Sequence, residues 1–356
     1  MDSIGPGAQR WPGLAEVLAN AEPFRVRLAV PFRGVRERTG LLLHGPAGWG
    51  EFAPFAEYGP HQAGRWLTAA VEAAWVGWPQ PRRDSVRVNA IIPAVAPVDC
   101  GERAAHAVAE AGVDTLKVKL GSDGAPQQTF QRELATDLAR LRAIRASVGP
   151  EVDIRADLNG RWELGDAMHA LPQLDAAAGG LQYVEQPLAD LDALIRLRAQ
   201  TRVPIAVDES LRLAADPDDP SLHDRLRAAG DYVVVKPTPL GGVVRSLSLV
   251  DRIGLPAVVS GAMDTSIGLG VGVALAAALP TQDLAAGLGT GVLLADDLID
   301  EPWLPVAGRL SVMKLTPGSR ALRLARDRVP RTEADDWIAR CRAAWAASEA
   351  LTEGPR

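Results

Sequence analysis

Cysteine is nearly absent from this chain of 356 residues: the two present, Cys100 and Cys341, lie far apart. Neither sits in a metal-ligand or redox spacing, which excludes a disulfide framework and thiolate chemistry. Histidine is scarce too. His44, His61, His106, His169 and His223 show no ligand spacing and read as structural or surface residues. An excess of positive charge is also missing, since 38 Lys and Arg face 44 Asp and Glu for a net charge of -6. That balance removes the electrostatic case for nucleic acid or an anionic membrane surface as a partner. Long apolar runs are lacking: the most apolar stretch, residues 267–279, is too short and too rich in Gly and Ala to span a bilayer. The opening Met1-Asp2-Ser3-Ile4-Gly5-Pro6 has neither a basic region nor an apolar core of leader length, so a cytoplasmic protein is expected.

What is present is ordinary globular material, 47% hydrophobic and 23% charged, so disorder is not the default. The length favours two structural units over one core. Residues 24–30 alternate as a half-buried strand, residues 40–44 read as its partner, and a loop rich in Gly and aromatics covers 48–58. An amphipathic helix is expected over 62–76, completing a small α+β unit. From about residue 86 the pattern alternates strand and helix, with strands expected at 87–92, 115–120, 152–158, 181–185, 205–208, 232–236, 257–260 and 284–287. Stretches of helical period lie between them, for example 130–148 and 188–200. Eight strands at this spacing fit a β/α barrel. A doubly wound open sheet is disfavoured because no Gly-rich phosphate turn follows a strand at the required spacing. A last helix is expected near 333–350, docked back on the N-terminal unit.

Four ionisable residues close successive apolar runs: Asp157, Glu185, Asp208 and Lys236, preceded by Leu116-Lys117-Val118-Lys119. Charged groups at the ends of buried strands pair, bind a metal or do chemistry. Side chains two apart on a strand share a face, which groups Lys117 with Lys119, and Arg155 with Asp157 and Asn159. Three carboxylates converging on a barrel mouth call for a hard divalent cation, and an all-oxygen set suits Mg²⁺ or Mn²⁺ rather than zinc. Lys117 beside Lys119, with partial burial, is expected to lower the Lys119 ammonium pKa and make Lys119 a usable general base. Base, metal and the buried Lys236 together suit proton abstraction next to a carboxylate, with stabilisation of the enediolate that forms. The expected partner is a small carboxylate substrate. Nothing in the residues prefers a monomer or a homo-oligomer.

Lys117-Val118-Lys119, Arg155-Ala156-Asp157-Leu158-Asn159, Val184-Glu185-Gln186-Pro187, Val207-Asp208-Glu209-Ser210 and Val235-Lys236-Pro237 resemble the enolase superfamily, in its muconate-cycloisomerase branch. The resemblance implies an α/β fold: a modified (β/α)7β TIM-type barrel under an N-terminal α+β capping domain. It places the cap in residues 1–85 with a lid loop over the site, the barrel in 86–318, and a C-terminal segment in 319–356. It also implies Mg²⁺ on Asp157, Glu185 and Asp208, with Lys119 and Lys236 facing each other across the substrate. Branches with a late histidine base are excluded, because no histidine follows His223.

Within the branch the resemblance is greatest to the o-succinylbenzoate synthase family of high-GC bacteria. It rests on chain length, on Arg-Ala-Asp-Leu-Asn, and on the segment from Val259 to Leu269. The implied reaction is syn dehydration of a succinyl-substituted hydroxycyclohexadiene carboxylate in menaquinone biosynthesis. The expected substrate contacts are Lys117, Arg155, Asn159, Ser260, Gly261 and Met263, with helix-start N–H groups after Ser260 holding a succinyl carboxylate. Gly287-Leu288-Gly289-Thr290-Gly291 reads either as a similar site or as an ordinary turn. An N-succinylamino acid racemase would use the same residues, whereas a dipeptide epimerase would carry an Asp-X-Asp motif where this glycine run stands. A Schiff-base aldolase on Lys236 leaves three carboxylates unexplained, and decay to a binding protein sits poorly with five filled positions.

Overall fold

The computed structural model describes residues 11–32, 34–121 and 129–352; residues 1–10, read above for a leader, lie outside them. Strands β1 (Ala21–Phe32), β2 (Val35–Gly45) and β3 (Gly48–Phe52) form an antiparallel sheet in that order. β3 corrects the expected loop: Gly48–Phe52 pairs with β2, so only residues 53–58 remain irregular. The helix behind the sheet runs Pro60–Val71 and ends in a wider turn, Glu72–Val76. On the same core packs the C-terminal helix Arg331–Ala346, whose Trp337, Cys341, Ala344 and Trp345 join Leu41, Leu43, Phe52 and Trp66. Burial of such large side chains is worth about 1.5–3 kcal/mol each, enough to fix the tail there.

The second unit holds β4 (Ser85–Ile92), β5 (Thr115–Lys119), β6 (Asp153–Asp157), β7 (Tyr183–Glu185), β8 (Ile205–Val207), β9 (Tyr232–Val235), β10 (Ala257–Val259) and β11 (Ala286–Gly289). They run parallel in the order β10-β9-β8-β7-β6-β5-β4-β11. The ring closes where Ser260 bridges Gly287 and the Gly261 N–H donates to the Gly287 carbonyl at 3.0 Å. β12 (Arg309–Ser311) adds antiparallel to β4. Between successive barrel strands lie the helices Pro97–Ala111, Phe130–Val148, Leu164–Ala178, Leu191–Arg198, Pro220–Ala229, Val243–Ile253 and Ser266–Ala278. Their starts carry ordinary signals: proline in the first turn at Pro97 and Pro220, and Asp190 accepting from the Ala193 N–H at 2.6 Å. This is the (β/α)7β barrel with an N-terminal α+β unit that the resemblance implied.

Two details settle ambiguous segments. Every residue of Ser266–Ala278 is buried, which explains its apolar run as a core helix between the two units. Among the described residues no helix is long and apolar enough to cross a membrane. The strand-eight glycines serve close approach: a Cβ on Gly289 would stand 2.4 Å from the Asn89 carbonyl, and one on Gly287 would stand 2.7 Å from the Ser260 hydroxyl.

The cap seats on the barrel through two buried carboxylates at helix starts. Glu51 accepts from the Thr265 N–H and hydroxyl and from the Gly268 N–H, ahead of and within Ser266–Ala278. Glu72 accepts from the N–H groups of Val243 at 2.6 Å and Val244 at 3.1 Å. Helix N-termini favour anions, yet burial dominates and pushes Glu72 up to about 7 from 4.5. The folded protein therefore holds this proton more tightly than the unfolded chain, and stability falls as pH rises between those values. Thermal unfolding followed across that range is expected to show a falling Tm for wild type and a shallower fall for Glu72→Gln. An identical profile in the variant would place the titration elsewhere.

Candidate active site

The interior of the barrel is layered because parallel strands in register bring every second residue to the axis. Tyr183, Ala206, Val234 and Val258 fill one layer below the mouth. Above it Lys119, Asp157 and Glu185 stand side by side, aligned by the β5–β6 and β6–β7 pairings. Asp208 and Lys236 follow the last residues of β8 and β9. The three carboxylates are completely buried.

Each carboxylate meets a cation. Lys117 Nζ lies 2.9 Å from Asp157 Oδ2 and 2.6 Å from Glu185 Oε1. Lys119 pairs with the same Asp157 oxygen and donates to Asn159 Oδ1 at 2.9 Å. Lys236 donates to Asp208 Oδ2 at 2.6 Å, and Arg212 Nε stands 3.2 Å from Asp208 Oδ1. Burial alone would raise Asp157, but Lys117 and Lys119 hold it well below the usual carboxylate range. Asp208 is likewise held down against burial, by Lys236 and Arg212. Glu185 goes the other way, pushed up by burial and by neighbouring Asp157. Burial would lower Lys117, yet Asp157 and Glu185 keep it well above its ordinary value. The expected repulsion between Lys117 and Lys119 is thus offset by Asp157 between them, a correction to the simple like-charge picture.

Among the described residues no three acidic, His or Cys side chains are already gathered around a metal position, because ammonium groups stand between the carboxylates. The donor set nevertheless fits a hard dication. Glu185 Oε2 and Asp208 Oδ1 are buried and accept no hydrogen bond. Orphaned buried acceptors cost free energy unless something occupies them. Asp157, Glu185 and Asp208 are the side chains that would hold such an ion.

Around the ring, β6, β7 and β8 lie between β5 and β9 on one side, and β4, β11 and β10 on the other. Lys119 and Lys236 therefore stand on opposite walls, with all three carboxylates on one arc between them. The other arc is uncharged and small, contributing Asn89, Ser260, Gly261, Gly287, Gly289 and Thr290 to the cavity wall. Phe55, Tyr58, Trp66 and Met263 also line that cavity. One half of the mouth is built for charge and the other for the body of a ligand.

The structure places the candidates unevenly. Lys117, Lys119, Lys236, Ser260, Gly261 and Met263 line the cavity. Arg155 does not: it is 0% exposed, donates to Gln182, Asn89 and the Ala285 carbonyl, and covers the Tyr183 ring at 4.9 Å. Through these contacts it braces the barrel interior. Asn159 also stays off the cavity wall, bridging Lys119 and Glu209 instead. The helix-start anion site is corrected as well. The N–H groups of Thr265 and Gly268 go to Glu51 and that of Ser266 goes to Asp297.

Comparison with known proteins agrees with this geometry. Residues 99–319 match the family described as Enolase C-terminal domain-like, and residues 24–74 match Enolase N-terminal domain-like. The o-succinylbenzoate synthase of Thermobifida fusca (strain YX) is 46% identical over 334 residues, covering 93% of this chain and 98% of that protein. The chain belongs to the enolase superfamily, in its o-succinylbenzoate synthase family. The o-succinylbenzoate synthase of Mycolicibacterium smegmatis is 42% identical over 92% of this chain and 96% of that protein. Among solved structures, the L-Ala-D/L-Glu epimerase of Bacillus subtilis superposes with a TM-score of 0.67 at 22% identity, covering 84% of this chain and 96% of that one. At that identity it speaks for the fold alone.

Several residues of this enolase-superfamily site carry no signal at the ends of strands. Gln186 is one: its side-chain oxygen accepts from the Asp208 N–H at 2.9 Å while its amide donates to Leu188 and Ser210. Gln186, Asn159 and Met263 all hold positive φ, at 40°, 50° and 63°. Such backbone strain persists where surroundings over-determine it, commonly at functional sites. With Gln186, the side chains given no role in the sequence are Arg212, Tyr58 and Asn89. Only Arg212 had a usable signal, four residues beyond Asp208 and so on its side of a helical turn.

Proposed function

We propose that this chain is an o-succinylbenzoate synthase, a hydro-lyase of menaquinone biosynthesis that dehydrates 2-succinyl-6-hydroxy-2,4-cyclohexadiene-1-carboxylate to 2-succinylbenzoate. The observation that carries the reading is the pair of opposed lysines flanking three buried carboxylates, in a chain 46% identical to an o-succinylbenzoate synthase across nearly its full length. Lys119 takes the proton from the ring carbon bearing the carboxylate, a role that requires its amine to be uncharged and so its ion pair with Asp157 to be given up. Negative charge then spreads onto the carboxylate as an enediolate, and the Lys236 ammonium on the opposite wall stabilises it. The hydroxyl on the adjacent ring carbon leaves from the same face, and Lys119 returns the proton to it, so water departs and Lys119 is restored. The ring gains its third double bond, and aromaticity makes the step downhill. Asp157, Glu185 and Asp208 are the side chains that would hold Mg²⁺, which when bound would supply positive charge to stabilise the enediolate. The uncharged arc with Met263 and the aromatic residues of the cap accepts the ring and succinyl arm while excluding water.

The same two lysines suit racemisation of an N-succinylamino acid, which makes that substrate the sharpest control. In D₂O the enzyme is expected to dehydrate the cyclohexadiene substrate quickly and to place little or no α-deuterium in a chiral N-succinylamino acid. Fast α-exchange without dehydration would replace this reading with a racemase.

A further inference from the structure

Arg212 takes no part in these proton transfers, yet it is buried at the cavity wall and engaged on three sides. Its Nε donates to Asp208 Oδ2 at 3.3 Å, Nη2 donates to Glu209 Oε1 at 2.6 Å, and Nη1 donates to the Tyr58 hydroxyl at 2.5 Å. Two of those acceptors sit at the end of β8, and the third belongs to loop 53–58 of the cap. A guanidinium is a planar fork with fixed donor directions, so shifting one partner disturbs the geometry of the others. The loop is also gripped from behind. Arg340 donates to the carbonyls of Pro54, Phe55 and Tyr58, and Arg38 bonds the Ala53 and Met263 carbonyls while lying 4.2 Å from the Phe55 ring.

Phe55 and Tyr58 of this loop form part of the cavity wall. Any movement of the loop away from the cavity separates Tyr58 from Arg212.

We propose that Arg212 is a positioning residue that couples the seating of loop 53–58 to the orientation of Asp208, so that cation binding and loop closure favour each other. The inference rests on the reading of Asp208 as a cation ligand. Coupling of this kind is reciprocal: whatever closure adds to cation affinity, the cation adds to closure.

Tyr58→Phe isolates the effect, since it keeps the ring that packs 5.6 Å from Trp66 and removes only the hydroxyl. Two measurements on the full-length protein read it: calorimetric titration with Mg²⁺, and hydrogen exchange of the peptide covering 53–58 with and without Mg²⁺. In wild type Mg²⁺ is expected to slow exchange in the loop. In Tyr58→Phe that protection is expected to disappear and Mg²⁺ to bind about tenfold more weakly, the usual scale for a partner behind a ligand. Arg212→Lys, which keeps the charge without the fork, is expected to behave alike. Equal protection and equal Mg²⁺ affinity in wild type and Tyr58→Phe would overturn the coupling. In that case, Mg²⁺ binding that Asp208→Asn weakens on the order of 10²-fold would leave the assignment of the ligand standing. A wild-type protein that binds no Mg²⁺ would overturn both.

Discussion

Lys119→Ala is expected to lower kcat by about 10³- to 10⁴-fold, the upper part of the range for a positioned proton-transfer group. The size follows from its double duty, because the same amine removes the α-proton and returns it to the leaving hydroxyl. Solvent exchange of that proton in D₂O should disappear with turnover. Fold and cation binding should survive. Asp157 keeps Lys117 at 2.9 Å as a partner, and Lys119 sits at the cavity wall rather than in the packed core. Affinity for Mg²⁺ is expected to match or exceed wild type, since one ammonium competing for Asp157 is gone. Near-native turnover in this variant would make the assignment of the base wrong.

Asp208→Asn is expected to act on the other half of the machinery. The amide is nearly isosteric but cannot carry the charge that binds a dication, so Mg²⁺ affinity should fall on the order of 10²-fold. Lys236 and Arg212 lose their buried counter-ion together, at 2.6 Å and 3.2 Å in the native site. Truncating one side of such a cluster leaves uncompensated charge, so kcat is expected to drop even where added Mg²⁺ restores occupancy. Calorimetry for the ion and initial rates at rising Mg²⁺ separate the two effects. Unchanged Mg²⁺ affinity would remove Asp208 from the ligand set.

The strand ends were legible because the physics there is local. Asp157, Glu185, Asp208 and Lys236 each close an apolar run, and a charge in that position reports a mouth rather than a core. Alternation gives the face of a residue but not its depth. Arg155 shares a face with Asp157, yet two residues of strand rise, roughly 6–7 Å, drop it from the cavity into the packed layer beside Tyr183. The helix start after β10 misled for a different reason. Its N–H groups do bind anions, but the anion is Glu51, supplied by the cap from more than two hundred residues away in the chain. Nothing local to the segment from Val259 to Leu269 announces that partner. The same holds for Tyr58, whose role depends on where loop 53–58 lands, and for Gly289, whose missing side chain serves the Asn89 backbone rather than a ligand.

The most direct test is to supply the purified protein with 2-succinyl-6-hydroxy-2,4-cyclohexadiene-1-carboxylate and follow formation of the aromatic product, before and after EDTA and again after Mg²⁺ is restored. Dehydration that stops with chelation and returns with Mg²⁺ is the predicted result. No dehydration of this substrate, or turnover indifferent to chelation, would contradict a metal-assisted proton abstraction by opposed lysines.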